Sequence, residues 1–143
     1  MNYIKLSITM LFAILVYTFS FSQTQVKPTT ASSTLTNGKK VYMKHCFACH
    51  QMDGSGTPGL YPPLQKTDWV SGDKTRLIKL TLDGIQGSIT VNDEEYNKAM
   101  PAHKFLTDQQ AADVLTYIRQ NFGNKANAIT PAEVAKVRST LKK

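Results

Sequence analysis

The residues with the most specific chemistry lie together in one short segment, Cys46-Phe47-Ala48-Cys49-His50, which holds both cysteines of the chain. Two thiols at this spacing on a helical turn can add to the two vinyl groups of one haem, and a histidine directly after the second thiol can ligate the iron. The sequence therefore predicts one covalent haem, attached through Cys46 and Cys49, with His50 as an axial ligand.

Three other uses of the cysteine pair fit the sequence less well. A dithiol redox motif is typical of a βαβ unit, and no such pattern surrounds Cys46 and Cys49. A structural zinc site needs four ligands, and the Cys and His spacing does not match a zinc finger. A disulfide between residues this close is strained inside a helix.

A second iron ligand is expected from the far face of the haem. A thioether is the favoured type opposite histidine, because soft sulfur stabilises Fe(II) and raises the reduction potential. The candidates are Met43, Met52 and Met100. Met43 lies on the same helix as Cys46, and Met52 follows His50 too closely to reach the other side of the ring.

Met100 lies far enough downstream to wrap to the far face. Pro101 follows it and holds Met100 extended rather than helical. We therefore predict Met100 as the sixth ligand, although packing in the core is the ordinary role of a methionine. His103 is the alternative ligand and would lower the potential, whereas His45 is too near Cys46 to reach.

The N-terminus has the layout of a secretory signal. Lys5 precedes an almost wholly apolar stretch, residues 6–21, and small residues follow up to Ser22. This pattern predicts a signal peptide over 1–22, and export favours haem attachment through cysteines. The alternative is an uncleaved anchor helix, which would associate the protein with a membrane. Residues 23–36 are polar and lack periodicity, so they are predicted to form a flexible linker.

The remainder of the chain, 37–143, is predicted to be one all-α domain. The 143 residues suit one small domain, and a core of four helices is too small to be stable unless something completes it. Apolar spacing and capping residues predict helices at Asn37–Cys49, Asp73–Asp83, Thr107–Phe122 and, as a peripheral helix, 131–141. A Gly- and Pro-rich ordered loop covers 51–66, and residues 89–96 suggest a short hairpin or an extended loop.

Three segments resemble class I c-type cytochromes with a single haem: NGKKVYMKHCFACH from Asn37, GSGTPGLYPPL from Gly54 and MPAHKFLTDQQAADVLTYIR from Met100. The resemblance implies the cytochrome c fold, in which orthogonal helices wrap round one covalently bound haem. It also agrees with Met100 as the axial ligand, because such cytochromes carry a Met-Pro pair ahead of the last core helix.

The resemblance assigns roles to further residues near the haem. Pro62 matches the position whose carbonyl accepts a hydrogen bond from the axial histidine, here His50, and Pro63 is the alternative. Leu64 is expected to pack on the haem. Trp69 would either donate its indole N–H to a haem propionate or pack in the core.

The first and last core helices are expected to cross closely, as they do in the family. Gly38 allows the close approach and Tyr42 supplies an aromatic contact. The expected partners on the last core helix are Val114, Tyr117 and Ile118.

The resemblance implies a periplasmic or exported cytochrome that carries single electrons by outer-sphere transfer through the haem edge, not an enzyme. Its partners would be redox proteins such as a dehydrogenase, a reductase or a terminal oxidase. A haem enzyme, or a gas or redox sensor with a labile sixth ligand, is the alternative. A non-catalytic subunit of a larger complex is a third possibility, since residues 54–64 and 91–101 resemble haem domains of such complexes.

The chain is basic, with 17 Lys and Arg against 10 Asp and Glu. Five lysines flank the predicted ligands and would either steer an acidic partner to the haem edge or form an ordinary solvated surface. They are Lys39, Lys40, Lys44, Lys98 and Lys104. Nucleic-acid binding is not expected, because the basic residues are dispersed and the protein carries an export signal.

Overall fold

The computed structural model describes residues 30–141 of the chain. Within that range the elements are α1 (Thr30–His45), α2 (Phe47–His50), α3 (Asp68–Ser71), α4 (Lys74–Asp83), β1 (Ile89–Val91), β2 (Glu94–Tyr96), α5 (Asp108–Gln120) and α6 (Pro131–Arg138). The two strands form one antiparallel hairpin, which is the only sheet of the described residues. The predicted all-α class is confirmed, and the 89–96 segment is a hairpin rather than an extended loop.

The start of the first helix differs from the prediction. α1 begins at Thr30 instead of Asn37, so the described part of the predicted 23–36 linker is helical. The Thr34 side chain on this part of α1 interacts with the Asp113 carboxylate on α5, an interaction that lowers the pKa of Asp113 against the larger, opposite effect of burial. The predicted signal peptide, 1–22, lies outside the described residues.

The predicted helix through Cys49 is divided in two. Cys46 has φ −120° and ψ −36°, which separates α1 from the short α2. The backbone still connects them, since the Cys46 N–H donates to Tyr42 O and the His50 N–H to Cys46 O. Both cysteines and the histidine thus stay within one compact turn.

α1 and α5 cross at a point where only glycine fits. A Cβ on Gly38 would overlap the carbonyl of Asp113 and lie 2.7 Å from the Cβ of Tyr117. Tyr42 is fully buried beside this crossing, with its ring 5.7 Å from Tyr117 and 5.1 Å from Phe122. The crossing implied by the family resemblance is therefore present.

Local capping chemistry sets the starts of the three later helices. The Asp73 side chain accepts from the Arg76 N–H at the start of α4. Thr107 and Thr130 each form a capping box, with Gln110 and Glu133, at the starts of α5 and α6. All three starts agree with the predicted ones.

The peripheral helix packs on the domain as predicted, although its helical part ends at Arg138. Val134 and Val137 are buried in the main core. Lys74 on α4 forms an ion pair with Glu133 at 2.8 Å, and Arg138 forms one with Asp108 at 2.7 Å. α6 thus joins the starts of α4 and α5.

The short helix α3 was not predicted, because four residues are too few for a periodic signal. Thr67 caps its start by accepting from the Val70 N–H. The buried Arg119 of α5 holds its other end, donating to the carbonyls of Val70 at 2.5 Å and Gly72 at 3.2 Å. These carbonyl acceptors satisfy a cation that would otherwise be costly to bury.

Candidate functional site

One large cavity lies between α1, α2, α4, α5 and the loops that connect them. Its empty space, counted out to its open mouth, is about 1130 Å³. Apolar side chains form most of the wall, among them Leu64, Val70, Leu77, Leu80, Val114 and Leu115. A concave, mostly apolar wall of this kind is typical of sites that hold a small molecule or a cofactor.

The residues predicted to attach the haem and bind its iron all line this cavity. Cys46, Cys49 and His50 line it from the α1–α2 turn, and Met100 lines it from the loop before α5. Both thiols are free and partly buried, and within residues 30–141 they form no disulfide. The four residues that sequence reasoning linked across the chain therefore face one space.

His50 is held by its ring as well as by its backbone. Its Nδ1 lies 3.0 Å from Pro62 O, a carbonyl that can only accept, so Nδ1 carries the proton and Nε2 is left for a metal. Burial lowers the pKa of His50 most, the Pro62 hydrogen bond opposes this, and His103 lowers it further. A neutral imidazole is the form that ligates iron.

The loop that supplies Pro62 folds tightly beneath His50. The Gly56 N–H donates to His50 O at 3.1 Å, and the Leu64 N–H donates to Gly54 O at 2.7 Å. A Cβ on Gly56 would lie 2.6 Å from Pro62 O, and the φ of Gly56 is +70°. Only glycine therefore lets the Pro62 carbonyl sit where it meets the imidazole.

Met100 is held by its backbone. Its N–H donates to Ile85 O and its carbonyl accepts from the Ile85 N–H, both at 3.0 Å. Gly84 precedes this bridge with φ +78°, and a Cβ there would lie 2.5 Å from Met100 O. The loop continues to His103, whose N–H donates to Thr81 O at 3.1 Å.

Trp69 lines the cavity, but its polar atom is engaged elsewhere. The indole N–H donates to Thr90 O on β1 at 2.9 Å, and the Arg76 guanidinium lies 4.6 Å from the ring centre. The two roles considered for Trp69, a hydrogen bond to a propionate and packing in the core, stay predictions, and the bond to Thr90 favours packing. Trp69 ties α3 to the hairpin at the edge of the cavity.

His103 is more deeply buried than the sequence indicated. Only 7% of it is exposed, and its Nδ1 is buried without a hydrogen-bond partner among the described residues. Its ring packs 5.6 Å from Phe105, which in turn packs 5.0 Å from His45. No local signal in the sequence predicts that this loop histidine is enclosed.

The five lysines do not form a single ring. Lys98 lines the cavity, and Lys104 forms an ion pair with Asp83 at 2.7 Å. The other three lie side by side on the exposed surface of α1, where they line a shallow groove: Lys39, Lys40 and Lys44. The cation-rich surface thus lies mainly on α1.

The alternative uses of the cysteines find no support in this geometry. Burial, followed by the proximity of Cys49, raises the pKa of the Cys46 thiol to about 12. No group of three or more His, Cys, Asp or Glu within residues 30–141 could hold a metal ion. Two thiols, a free imidazole Nε2 and a thioether around a large apolar cavity instead fit a covalent haem.

Comparison with known proteins agrees with a covalent haem site. The family model described as cytochrome c matches residues 35–122. The chain is 34% identical to cytochrome c-552 of Thermus thermophilus over 112 residues, which covers 72% of this chain and 85% of that protein.

Two further relatives are named as subunits of larger enzymes. The chain is 36% identical to the cytochrome c subunit of the quinone alcohol dehydrogenase of Gluconacetobacter polyoxogenes, over 72% of this chain and 22% of that subunit. It is 39% identical to the gluconate 2-dehydrogenase cytochrome c subunit of Pantoea cypripedii, over 71% of this chain and 24% of that subunit. The match thus covers only about a quarter of each subunit.

Among the described residues, no helix has both the length and the apolar character needed to cross a membrane.

Proposed function

The chain belongs to the cytochrome c family and is an electron-transfer protein with one covalent haem c, and we propose that His50 and Met100 are its two axial ligands. Cys46 and Cys49 hold the haem through thioether bonds. Pro62, Leu64 and Trp69 complete its binding surface, Pro62 through its carbonyl and the other two by packing.

One observation carries this proposal: a single cavity is lined by both thiols, by His50 and by Met100. The thiols and the imidazole come from one turn, so attachment at Cys46 and Cys49 brings the iron to His50. Met100 comes from a distant loop that the Ile85 bridge fixes in place. The two proposed ligands therefore come from two segments that lie far apart in the sequence.

The haem supplies one-electron Fe(II)/Fe(III) chemistry when bound. With the haem bound, His50 and Met100 would both hold its iron, so no open coordination position would remain for a substrate. The Pro62 hydrogen bond keeps His50 oriented, and the Ile85 bridge keeps the backbone of Met100 in place. Ligation can therefore stay the same in both oxidation states, which suits a carrier better than an enzyme.

The apolar wall supports a carrier role in a second way. Leu64, Val70 and Leu115 line the cavity and give its interior an apolar surface. Low solvent exposure and a thioether ligand both favour the reduced state, so we expect a higher potential than that of a bis-histidine site.

The partners we propose are redox proteins outside the cytoplasm. Relatives named as cytochrome subunits of dehydrogenases make a dehydrogenase the first candidate donor, and a reductase or terminal oxidase is the matching acceptor. Residues 1–22 support a periplasmic or exported location as a signal peptide, and membrane association would follow only if residues 6–21 remain attached. The lysines on α1 suit an acidic partner.

Two measurements test the carrier function. Ferrous protein should not bind carbon monoxide, because Met100 occupies the sixth position; rapid binding would favour the sensor or enzyme alternative. Titration of purified dehydrogenases and oxidases should show electron transfer that slows as salt is raised, since Lys39, Lys40 and Lys44 act at long range. Turnover with one complex alone would identify a dedicated subunit instead of a free shuttle.

A further inference from the structure

His103 is a buried histidine that the electron-carrier role does not use. It lines the same cavity as His50 and Met100, and only 7% of it is exposed. Its Nδ1 is buried and has no hydrogen-bond partner among the described residues. A buried polar atom without a partner destabilises the fold unless something satisfies it, so the position of His103 calls for an explanation.

The backbone around His103 is fixed, which keeps the ring at the cavity. The His103 N–H donates to Thr81 O at 3.1 Å, and its carbonyl accepts from the Leu106 N–H at 3.1 Å. Three residues earlier, the Ile85 bridge fixes Met100. The thioether and the imidazole are thus presented from one short, doubly anchored loop.

The ring of His103 lines the cavity that His50 also lines. On the outer side, Phe105 covers His103 at 5.6 Å between ring centres. The imidazole therefore has a packed aromatic ring on one side and the cofactor cavity on the other.

We propose that His103 is a reserve iron ligand, which binds through a ring nitrogen when the Met100 sulfur leaves the iron. The proposal rests on the proposed function, because it assumes that His50 and Met100 are the resting ligands. One coordination bond breaks, another forms, and no electron is exchanged in the step. The resulting bis-histidine site would have a lower potential than the His50 and Met100 site.

Two other side chains at the cavity could compete for the iron, and both fit less well. His45 also lines the cavity, but it is only half-buried, and its backbone lies next to Cys46 at the end of α1. Lys98 is exposed, and its ammonium group has no lone pair until it loses a proton. Both serve as controls for the test.

The test uses the haem-loaded Met100→Ala variant and its absorption spectrum. We expect the ferric protein to remain six-coordinate and low-spin, without the weak far-red sulfur–iron band, and its potential to fall. The double variant Met100→Ala/His103→Ala should become high-spin and bind added imidazole, whereas Met100→Ala/His45→Ala and Met100→Ala/Lys98→Ala should stay low-spin.

Other results overturn the proposal in distinguishable ways. A high-spin Met100→Ala protein would show that Met100 is the resting ligand but that nothing replaces it, so only the reserve role fails. Loss of the low-spin state in the His45 or Lys98 double variant alone would assign the reserve role elsewhere. A Met100→Ala spectrum and potential identical to those of the unchanged protein would refute Met100 ligation itself.

A second substitution covers poor folding of the alanine variant. Met100→Leu keeps nearly the same volume, so the loop and the cavity wall are disturbed less. The same spectra are expected from Met100→Leu and Met100→Leu/His103→Ala. A high-spin Met100→Leu protein with native helix content would overturn the reserve role in the same way.

Discussion

On each side of the cavity a glycine makes room for a backbone carbonyl, but the two carbonyls hold different groups in place. On the His50 side, Gly56 makes room for the Pro62 carbonyl, and on the Met100 side, Gly84 makes room for the Met100 carbonyl. The Pro62 carbonyl bonds the imidazole ring itself, whereas the bridge at Met100 holds only the main chain. On the His50 side the ring of the proposed ligand is oriented, whereas on the Met100 side only the backbone of the proposed ligand is held in place.

The largest effect is expected from Cys46→Ala/Cys49→Ala, because covalent attachment exists on the His50 side alone. The variant should lose all haem when extracted with acidified acetone, while the unchanged protein keeps it. Without the haem, the apolar cavity loses its filling and the fold should be strongly destabilised. A coloured chain after extraction would contradict the attachment.

The next effect concerns Gly56, with Gly59 as the matched control. Both have φ +70°, but a Cβ on Gly59 meets nothing within 4 Å, whereas one on Gly56 would lie 2.6 Å from Pro62 O and overlap the Tyr61 carbonyl. Gly56→Ala should therefore cost about 1–3 kcal/mol more in unfolding free energy than Gly59→Ala.

Denaturant unfolding measures the difference between these two variants. The Gly56→Ala protein should also show a raised potential, because a weakened Pro62 hydrogen bond makes His50 a less basic ligand. A less basic imidazole stabilises Fe(III) less, so the equilibrium shifts towards Fe(II). Equal stability and equal potential in the two variants would show that the Pro62 carbonyl is not held in this way.

On the Met100 side the corresponding pair is Gly84 and Gly87. Their φ values are +78° and +85°, and a Cβ on Gly87 meets nothing within 4 Å, whereas one on Gly84 would lie 2.5 Å from Met100 O. Gly84→Ala should weaken the far-red sulfur–iron band and lower the potential, with about 1–3 kcal/mol less stability than Gly87→Ala.

Spectra and unfolding curves of the Gly84 and Gly87 variants check this expectation. The loss of stability in Gly84→Ala should come with altered ligation, whereas Gly56→Ala should keep the sulfur–iron band. An intact band in Gly84→Ala would mean that the Ile85 bridge does not control Met100.

The smallest effect is expected from Asp83→Asn, which removes the exposed ion pair with Lys104 on the Met100 side. The hydrogen bond and charge of Lys104 hold the pKa of Asp83 below its usual range. Such a carboxylate stabilises the fold above its unfolded pKa, about 3.9, and that contribution disappears as the pH falls through the lower folded value.

Thermal unfolding of Asp83→Asn should therefore show a slight loss of stability at neutral pH that shrinks with added salt and vanishes in acid. Glu95→Gln, on exposed β2, is the control and should show no comparable pH dependence. A loss that persists in acid would mean that Asp83 acts through something other than its charge.

The sequence predicted the structural features that depend on residues close together in the chain. The starts of α4, α5 and α6 follow from the caps at Asp73, Thr107 and Thr130, each of which acts within its own first turn. The attachment segment at Cys46 and Cys49 is equally local. The Pro62 contact came from the family resemblance, and the structure has it at 3.0 Å.

The sequence could not predict the structural features that depend on contacts between residues far apart in the chain. The extra turns of α1 include the contact of Thr34 with Asp113, and α3 rests on carbonyls held by Arg119. The room that Gly56 and Gly84 leave, and the burial of His103, exist only once separate segments have come together.

The most direct test of the central claim is the visible spectrum of the exported protein, oxidised and reduced, after free haem has been extracted under denaturing conditions and the chain refolded. We expect haem that stays on the chain, a low-spin iron and the weak far-red sulfur–iron band in the oxidised form. Absence of haem from protein made in cells able to attach it would contradict covalent attachment and return Cys46 and Cys49 to thiol chemistry.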